Sequence, residues 1–164
     1  MEIERKFLIR ELPADLESYP HERIEQGYLC TDPVVRVRRQ GDRYLLTYKG
    51  RGLMAREETN LPLTEEAYAH LIQKADGRII AKTRYRIPYL SYTIELDLFD
   101  EVRIESDDPL IMAEVEVPTR QEAGAFVAPT WFGEDVTEDV RYHNSRMSAE
   151  KSFANSSNCA IMQK

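Results

Sequence analysis

Cysteine and glycine are scarce in this chain of 164 residues, which contains two cysteines and seven glycines. Cys30 and Cys159 show neither a metal-binding spacing nor a disulfide framework, so we interpret both as reduced thiols. The glycine cluster at 50–52 lacks the spacing of a phosphate-binding P-loop or a dinucleotide fingerprint and is interpreted as a turn. No GxSxG nucleophile elbow is present. These absences argue against the P-loop, Rossmann and serine-hydrolase classes.

Histidines and long apolar runs are also few. The three histidines, at positions 21, 70 and 143, are too scattered to indicate a zinc site. No apolar run approaches the roughly 20 residues that a membrane helix needs. The first residues do not show the basic and then apolar pattern of a secretory signal. We therefore expect a cytoplasmic location and no membrane partner.

Positive charge is not in excess, because the formal net charge is -7 and the isoelectric point is about 5.1. Proteins that coat nucleic acid depend mainly on unopposed Lys and Arg, so we expect no nucleic-acid partner. A confined basic pocket can still hold a small anion inside an acidic protein.

The length and a composition of 42% hydrophobic and 31% charged residues fit a single globular domain. We predict a domain at 1–154 and a polar tail at 155–164. Within the domain, polar and apolar side chains alternate with period two, which is the pattern of β-strands. The strands are predicted at 2–7, 34–39, 44–49, 56–60, 78–87, 92–99 and 110–117. The sequence therefore predicts a β-dominated α+β fold.

Helices are predicted at a few places between these strands. Thr64 is the predicted N-cap of a helix that ends near Gly77, and Thr119 begins a second short helix. Trp131 and Phe132 are interpreted as a packed corner, and 137–147 as a final helical turn or two.

The polar faces of the predicted strands differ in the sign of their charge. Acidic pairs occur at alternate positions of one strand, as do basic pairs. The acidic pairs are Glu2 with Glu4, Glu95 with Asp97 and Glu114 with Glu116, and the basic pairs are Arg36 with Arg38 and Lys82 with Arg84. Any single pair is ordinarily a solvated strand face, in which cross-strand pairs contribute about 0.2–1 kcal/mol each. The sorting of the whole set favours a closed sheet with its charged face inward.

A charged interior of this kind needs counterions, because an unpaired ion removed from water costs several kcal/mol. Carboxylate pairs suit hard divalent cations such as Mg²⁺ or Mn²⁺, and Lys and Arg suit phosphate oxygens. A metal-bound polyphosphate satisfies both signs of charge together.

Short motifs in order along the chain resemble those of the CYTH domain proteins, or triphosphate tunnel metalloenzymes. The motifs are EIERK at 2–6, EQGYL at 25–29, VRVR at 35–38, LTYKG at 46–50, KTRY at 82–85, AEVE at 113–116 and a closing block at 131–142. The resemblance spans about residues 1–150 and implies a closed eight-stranded antiparallel β-barrel tunnel with helices packed outside. It also implies hydrolysis, or in some members cyclisation, of triphosphates with Mg²⁺ or Mn²⁺.

The resemblance assigns expected roles to individual positions. The metal-side carboxylates are Glu2, Glu4, Glu114 and Glu116. The phosphate-binding cations are Lys6, Arg36, Arg38, Lys49, Arg56, Lys82 and Arg84. The expected catalytic residues are Lys6, Glu58, Lys82, Glu114 and Glu116, and Glu95, Asp97 and Asp139 fall at further acidic positions of the family.

Two features depart from the family pattern. Asn60 stands where small bacterial members often have a second glutamate, and the stretch 100–108 lacks the expected glycine turn.

The expected reaction is hydrolysis of the terminal phosphoanhydride of inorganic tripolyphosphate, because no segment is recognisable as a reader of a nucleobase. The alternatives are a nucleoside or thiamine triphosphatase, then a class IV-type adenylyl cyclase, then a noncatalytic polyphosphate-binding module. We also expect that outward apolar strand faces allow a homodimer.

Overall fold

A computed structural model of the chain describes residues 1–149. The predicted domain end at 154, the polar tail at 155–164 and Cys159 lie outside the described residues. None of the helices within residues 1–149 has the length and apolarity that a membrane-spanning helix requires.

Strands make up most of the described chain. They are β1 (Glu2–Ile9), β2 (His21–Thr31), β3 (Val34–Gln40), β4 (Arg43–Lys49), β5 (Ala55–Arg56), β6 (Glu58–Pro62), β7 (Asp76–Tyr89), β8 (Tyr92–Phe99), β9 (Ile111–Glu116) and β10 (Phe132–Asp135). The α-helices are α1 (Glu65–Ile72), α2 (Arg120–Ala125) and α3 (Asn144–Ala149), with 3₁₀ turns at Leu16–Ser18 and Val140–Tyr142. The predicted β-dominated fold is confirmed.

The strands form one antiparallel sheet of ten strands in the order β10-β1-β9-β8-β7-β2-β3-β4-β6, with β5 paired to β1. This hydrogen-bonded path has two ends, β10 and β6, so the ladder does not establish the predicted closure. The count also differs from the expected eight strands. β10 is added beside β1, and β5 and β6 are separate strands on either side of Glu57.

The helix caps agree with the sequence, but two boundaries do not. The hydroxyl groups of Thr64 and Thr119 each accept a hydrogen bond from a backbone N–H in the first helical turn. The first helix ends at Ile72 rather than near Gly77, which lies inside β7 with a φ of +68°. A Cβ at Gly77 would lie 2.0 Å from the carbonyl oxygen of Ser148, so this glycine serves a close contact with α3.

Apolar side chains cover the outer face of the sheet and one end of its charged face. The outer cluster includes Phe7, Leu96 and Val115, and Phe126 and Trp131 pack against it. A second cluster lies where α3 packs on β2 and β7. α1 covers β2, β3 and β4, and α2 covers β1. The rest of the charged face is left free to build a polar site.

Candidate active site

The register of the sheet brings the charged strand faces together. Residues directly opposite each other in an antiparallel pair lie on the same face of the sheet. The opposed pairs are Glu4 with Glu116, Lys6 with Glu114, Glu95 with Glu114, Arg84 with Asp97, Lys49 with Glu58 and Glu2 with Arg56. Acidic and basic side chains from several strands therefore share one interior.

Lys6 lies between two carboxylates of neighbouring strands. Its Nζ donates to Glu4 Oε1 at 2.6 Å and to Glu114 Oε1 at 2.7 Å, and the residue is 1% exposed. Burial alone would lower the pKa of Lys6, but Glu114 and Glu4 raise it above its ordinary value. Burial would likewise raise the pKa of Glu114, which Lys6 and Arg84 hold well below its usual range. The pKa of Glu4 is lowered as well, against the effect of burial and mainly by Lys6, so the shifts of all three groups favour their charged forms.

Arg84 connects three carboxylates. Its Nε and Nη2 donate to the two oxygens of Asp97 at 2.7 Å each, and Nη2 also donates to Glu114 Oε2 at 2.8 Å. Nη1 donates to Glu95. Lys82 donates to Asp97 as well, and both of these residues are 0% exposed. This network fixes the guanidinium of Arg84 rigidly.

Lys49 joins Glu2 and Glu58 at another part of the interior. Its Nζ lies 2.8 Å from Glu2 Oε2 and 2.9 Å from Glu58 Oε2, and Arg56 Nε lies 3.9 Å from Glu2 Oε2. Burial and the neighbouring Glu58 raise the pKa of Glu2 to about 7. Burial also acts to raise the pKa of Glu58, but its bonds to Glu2 and Lys49 lower it to about 2. The pair can therefore take up one proton near neutral pH.

Arg36 and Arg38 on β3 differ from these cations, because neither forms an ion pair with a carboxylate of residues 1–149. Arg38 Nε donates to Gln26 Oε1 at 2.9 Å, and Arg36 Nη2 donates weakly to Thr47 Oγ1 at 3.4 Å. Arg36 Nε is buried and has no hydrogen-bond partner in the described part of the chain. Burial and the positive charges of Arg36 and Arg84 lower the pKa of Arg38 to about 9. These two guanidinium groups are available for an anionic ligand.

Glu116 on β9 is the opposite case. It is exposed and forms no salt bridge with a cation of residues 1–149. Partial burial and the nearby carboxylates of Glu58, Glu95 and Glu4 raise its pKa. Negative charge is therefore in excess around Glu116, whereas positive charge is in excess around Arg36 and Arg38.

The charged side chains line a cavity of about 170 Å³. Its wall is almost wholly polar. The lining residues are Glu2, Glu4, Tyr28, Arg36, Arg38, Gln40, Lys49, Arg56, Glu58, Arg84, Glu95, Glu114, Glu116 and Asn144. A cavity with excess cations on one wall and excess carboxylates on another suits a compact ligand that presents charges of both signs.

A comparison with known protein families decides the classification. The family model of the CYTH domain matches residues 1–153. The chain belongs to the CYTH domain family. The fold and the order of the motifs agree with this assignment, so the predicted resemblance is confirmed.

Curated relatives of this CYTH domain include two inorganic triphosphatases. The protein from Nitrosomonas europaea is 38% identical over 152 residues, which cover 89% of this chain and 95% of the relative. The protein from Acetivibrio thermocellus is 36% identical over 129 residues, which cover 74% and 77% respectively. A crystal structure of an inorganic triphosphatase has a TM-score of 0.67 and 34% identity, and the match covers 92% of this chain and 95% of the other.

Most of the site residues predicted for this CYTH domain meet at the cavity. Three of them, Lys6, Lys82 and Asp97, are completely buried behind the wall and contact its carboxylates and Arg84. Asp139 is not brought to the site. It accepts hydrogen bonds from the side chain and backbone N–H of Arg141, two residues along the chain, at a 3₁₀ turn.

Several polar neighbours of the predicted residues were not predicted from the sequence. Gln40 and Asn144 line the cavity, and Gln26 contacts Arg38 from behind. Tyr28 belongs to an apolar cluster and also lines the cavity. Gln26 and Tyr28 alternate along β2 and lie opposite Arg38 and Arg36, so a pairing of β2 with β3 was the signal that could have found them.

The carboxylates of the cavity can be compared with the ligands that the divalent cation implied by the family requires. Within residues 1–149, no three His, Cys, Asp or Glu side chains are grouped so that they could hold a metal ion. Lys6 and Lys49 lie between carboxylates that would otherwise form such groups. Mg²⁺, however, is commonly held by one or two carboxylates together with substrate phosphates and water. The oxygen donors around Glu116 fit a cation that binds jointly with a phosphate.

Proposed function

We propose that this protein hydrolyses the terminal phosphoanhydride of inorganic tripolyphosphate with the help of Mg²⁺ or Mn²⁺. The observation that carries the proposal is the cavity in which, among residues 1–149, Arg36 and Arg38 have no carboxylate partner and Glu116 has no cation partner. A polyphosphate bound with a divalent cation supplies both missing charges. The names of the curated relatives support this choice of substrate.

The proposal includes a closed tunnel of eight strands. If β5 and β6 are counted as one strand interrupted at Glu57, the circuit β1-β9-β8-β7-β2-β3-β4-β6/β5 returns to β1. β10 then lies outside this circuit as an extra strand beside β1. In such a barrel the charged face lines the lumen, and the apolar face packs against the helices.

In the proposed mechanism, the side chains of the wall bind and orient the triphosphate. Arg36 and Arg38 donate to phosphoryl oxygens, and Arg84 presents a guanidinium already fixed by Asp97. Glu114 and Glu116 would hold the divalent cation, which would supply neutralisation of phosphate charge and activation of water. Preorganised donors of this kind stabilise charge without rearranging during the reaction.

The residues behind the wall support those that contact substrate. Lys6 holds Glu4 and Glu114 in place, and Lys82 holds Asp97, which orients Arg84. Because both lysines are buried, we assign them a positioning role toward the carboxylates and Arg84. Glu2, Glu58 and Lys49 close the cavity on another side.

The character of the wall favours an inorganic substrate. Tyr28 is the one aromatic side chain among the described lining residues, and it is 2% exposed. Recognition of a nucleobase usually uses stacking on aromatic side chains. A nucleoside or thiamine triphosphatase is therefore the second candidate and an adenylyl cyclase the third. A noncatalytic polyphosphate-binding module is disfavoured by the retained Glu114 and Glu116.

The test is a phosphate-release assay with tripolyphosphate, ATP and thiamine triphosphate, each with Mg²⁺ and with Mn²⁺. We expect orthophosphate to be released fastest from tripolyphosphate and not at all in the presence of EDTA. Arg38→Ala should lower turnover by about 100-fold or more, because one preorganised donor is lost. Arg23→Ala, which removes an exposed arginine paired with Asp100, is the matched control.

Other products would identify the alternatives. Pyrophosphate with a cyclic nucleotide would indicate a cyclase, and tight tripolyphosphate binding without product would indicate the binding module. Faster release from ATP or thiamine triphosphate would change the assigned substrate. The expected homodimer, the cytoplasmic location, the absence of nucleic-acid and membrane partners and the domain limits 1–154 stay predictions.

A further inference from the structure

Gln26 occupies an unusual position behind the cavity. It lies on β2, is 0% exposed, and faces Arg38 on β3 and Ile80 on β7. It does not line the cavity itself, so it reaches a ligand only through Arg38.

The orientation of the Gln26 amide follows from its partner. Arg38 Nε can only donate, so the atom 2.9 Å away must be the oxygen of the amide, Oε1. Nε2 therefore points away from Arg38. It is buried and has no acceptor within the described residues. An unsatisfied buried donor costs about 1–3 kcal/mol, so a glutamine here calls for a physical reason.

A carboxylate at position 26 would avoid this cost but would change the charge of the cavity. It would accept the same hydrogen bond and would form a buried ion pair with Arg38. The neighbouring cations show this arrangement, because Arg84 and Lys49 each contact two or more carboxylates. Arg38 instead has a neutral partner, forms no ion pair with a carboxylate of residues 1–149, and lies beside the positive charges of Arg36 and Arg84.

We infer that Gln26 is a positioning residue that fixes the guanidinium of Arg38 through a neutral hydrogen bond and leaves its charge available to a phosphoryl oxygen. The amide thus increases the affinity for a polyanion and lowers the stability of the protein without ligand. This inference rests on the proposed function for its substrate class and deepens it, because it names the residue that keeps the cationic wall unneutralised.

Two substitutions separate this role from a merely structural one. Gln26→Glu keeps the shape and the hydrogen bond but neutralises Arg38, whereas Gln26→Met keeps the charge of Arg38 and removes the bond. If Gln26 only held Arg38 in place, the glutamate variant would bind at least as well as the wild type. The inference requires that affinity for tripolyphosphate decreases from the wild type to Gln26→Met and decreases further in Gln26→Glu.

The measurement is the dissociation constant of tripolyphosphate by calorimetry with EDTA present, together with KM and kcat with metal. We expect Gln26→Glu to raise the dissociation constant and KM about 10-fold or more, with a smaller change in kcat. Its melting temperature without ligand should rise, because the new carboxylate pairs with Arg38. Gln121→Glu, the same change at an exposed position of α2, should leave the dissociation constant, KM and kcat unchanged.

Several results would overturn the inference. Binding by Gln26→Glu as tight as in the wild type is one, and an equal loss in Gln121→Glu is another. A Gln26→Glu protein that does not fold would also contradict it, since the variant is expected to be more stable when empty. Binding is measured without turnover, so a wild type that binds but does not hydrolyse would refute the proposed function and leave this test valid.

Discussion

Replacement of Asp97 by asparagine tests whether the buried charges are stabilised by pairing. Asp97 accepts a hydrogen bond from Lys82 and two from Arg84, and Asp97 and Lys82 are 0% exposed. Asn has nearly the same shape but no charge. Arg84 keeps Glu95 and Glu114 as partners, whereas Lys82 loses its salt-bridge partner among residues 1–149.

The expected magnitude follows from this contact pattern. Removal of one partner of a buried ion pair costs about 3–5 kcal/mol, because the other charge stays buried without compensation. We therefore expect Asp97→Asn to lower the free energy of unfolding by about 3–5 kcal/mol at pH 7. Asp100→Asn breaks a largely exposed pair with Arg23 and should cost about 1 kcal/mol or less.

Urea unfolding followed by the fluorescence of Trp131 measures both variants. Trp131 is the single tryptophan and packs against the outer apolar cluster, so its emission reports loss of packing. If Asp97→Asn unfolds at the same urea concentration as Asp100→Asn, the carboxylate does not compensate the buried cations. That result would remove the physical basis of the charged interior.

The pH dependence of the Asp97→Asn deficit provides a second check. Burial, together with Arg84, already lowers the pKa of Lys82 to about 8 despite the opposing effect of Asp97, and the substitution should lower it further. In the folded variant, Lys82 then loses its proton at a pH where Lys82 of the unfolded chain is still protonated. Stability rises with pH wherever the unfolded state binds more protons. The difference in the free energy of unfolding between Asp97→Asn and the wild type should therefore become smaller as the pH rises toward about 8.

Three further predictions concern other parts of the structure. The pKa values of Glu4 and Glu114 are lowered in the folded protein. The stability that these groups contribute is therefore present above their ordinary pKa of 4.5 and is lost as the pH falls below it. A urea midpoint at pH 3 equal to that at pH 6 would contradict this prediction. Glu116→Gln should remove repulsion and slightly raise the melting temperature while lowering metal-dependent phosphate release; unchanged turnover would exclude Glu116 from the site. Gly77→Ala should destabilise the protein by more than 1 kcal/mol because of the positive φ of Gly77 and its contact with the carbonyl oxygen of Ser148. Gly124→Ala, on an open helix face, should stabilise the protein by about 0.5–1 kcal/mol. Equal chemical denaturation midpoints of the two variants would refute this contrast.

Local patterns predicted most of the strands and both cap residues correctly. β2 and β10 were not predicted as strands. Only residues 25–29 of β2 were matched, as a motif, and β10 is four residues long and pairs with β1 far away in the sequence. The end of α1 was placed near Gly77 because a glycine ordinarily terminates a helix. In the structure, that glycine instead permits the close approach of α3 to β7, which is a tertiary contact.

The candidate site was predicted in composition but not in detail. Sorted charges indicated a polar interior, and the register of the sheet does bring them together. Sequence could not indicate that Lys6 and Lys82 lie behind the cavity wall, because depth depends on strand pairing and tilt. Asp139 matched a family position, but the nearby Arg141 binds it at the surface.

The sequence by itself determined which side chains share a strand face, because alternation is a property of the extended backbone alone. Only the tertiary structure decided which strands are neighbours and in which register. That arrangement pairs Lys6, Lys49 and Arg84 with carboxylates and leaves Arg36 and Arg38 on β3 beside neutral groups. Electrostatic compensation depends on distances of a few ångströms between strands, and these distances exist only in the assembled sheet.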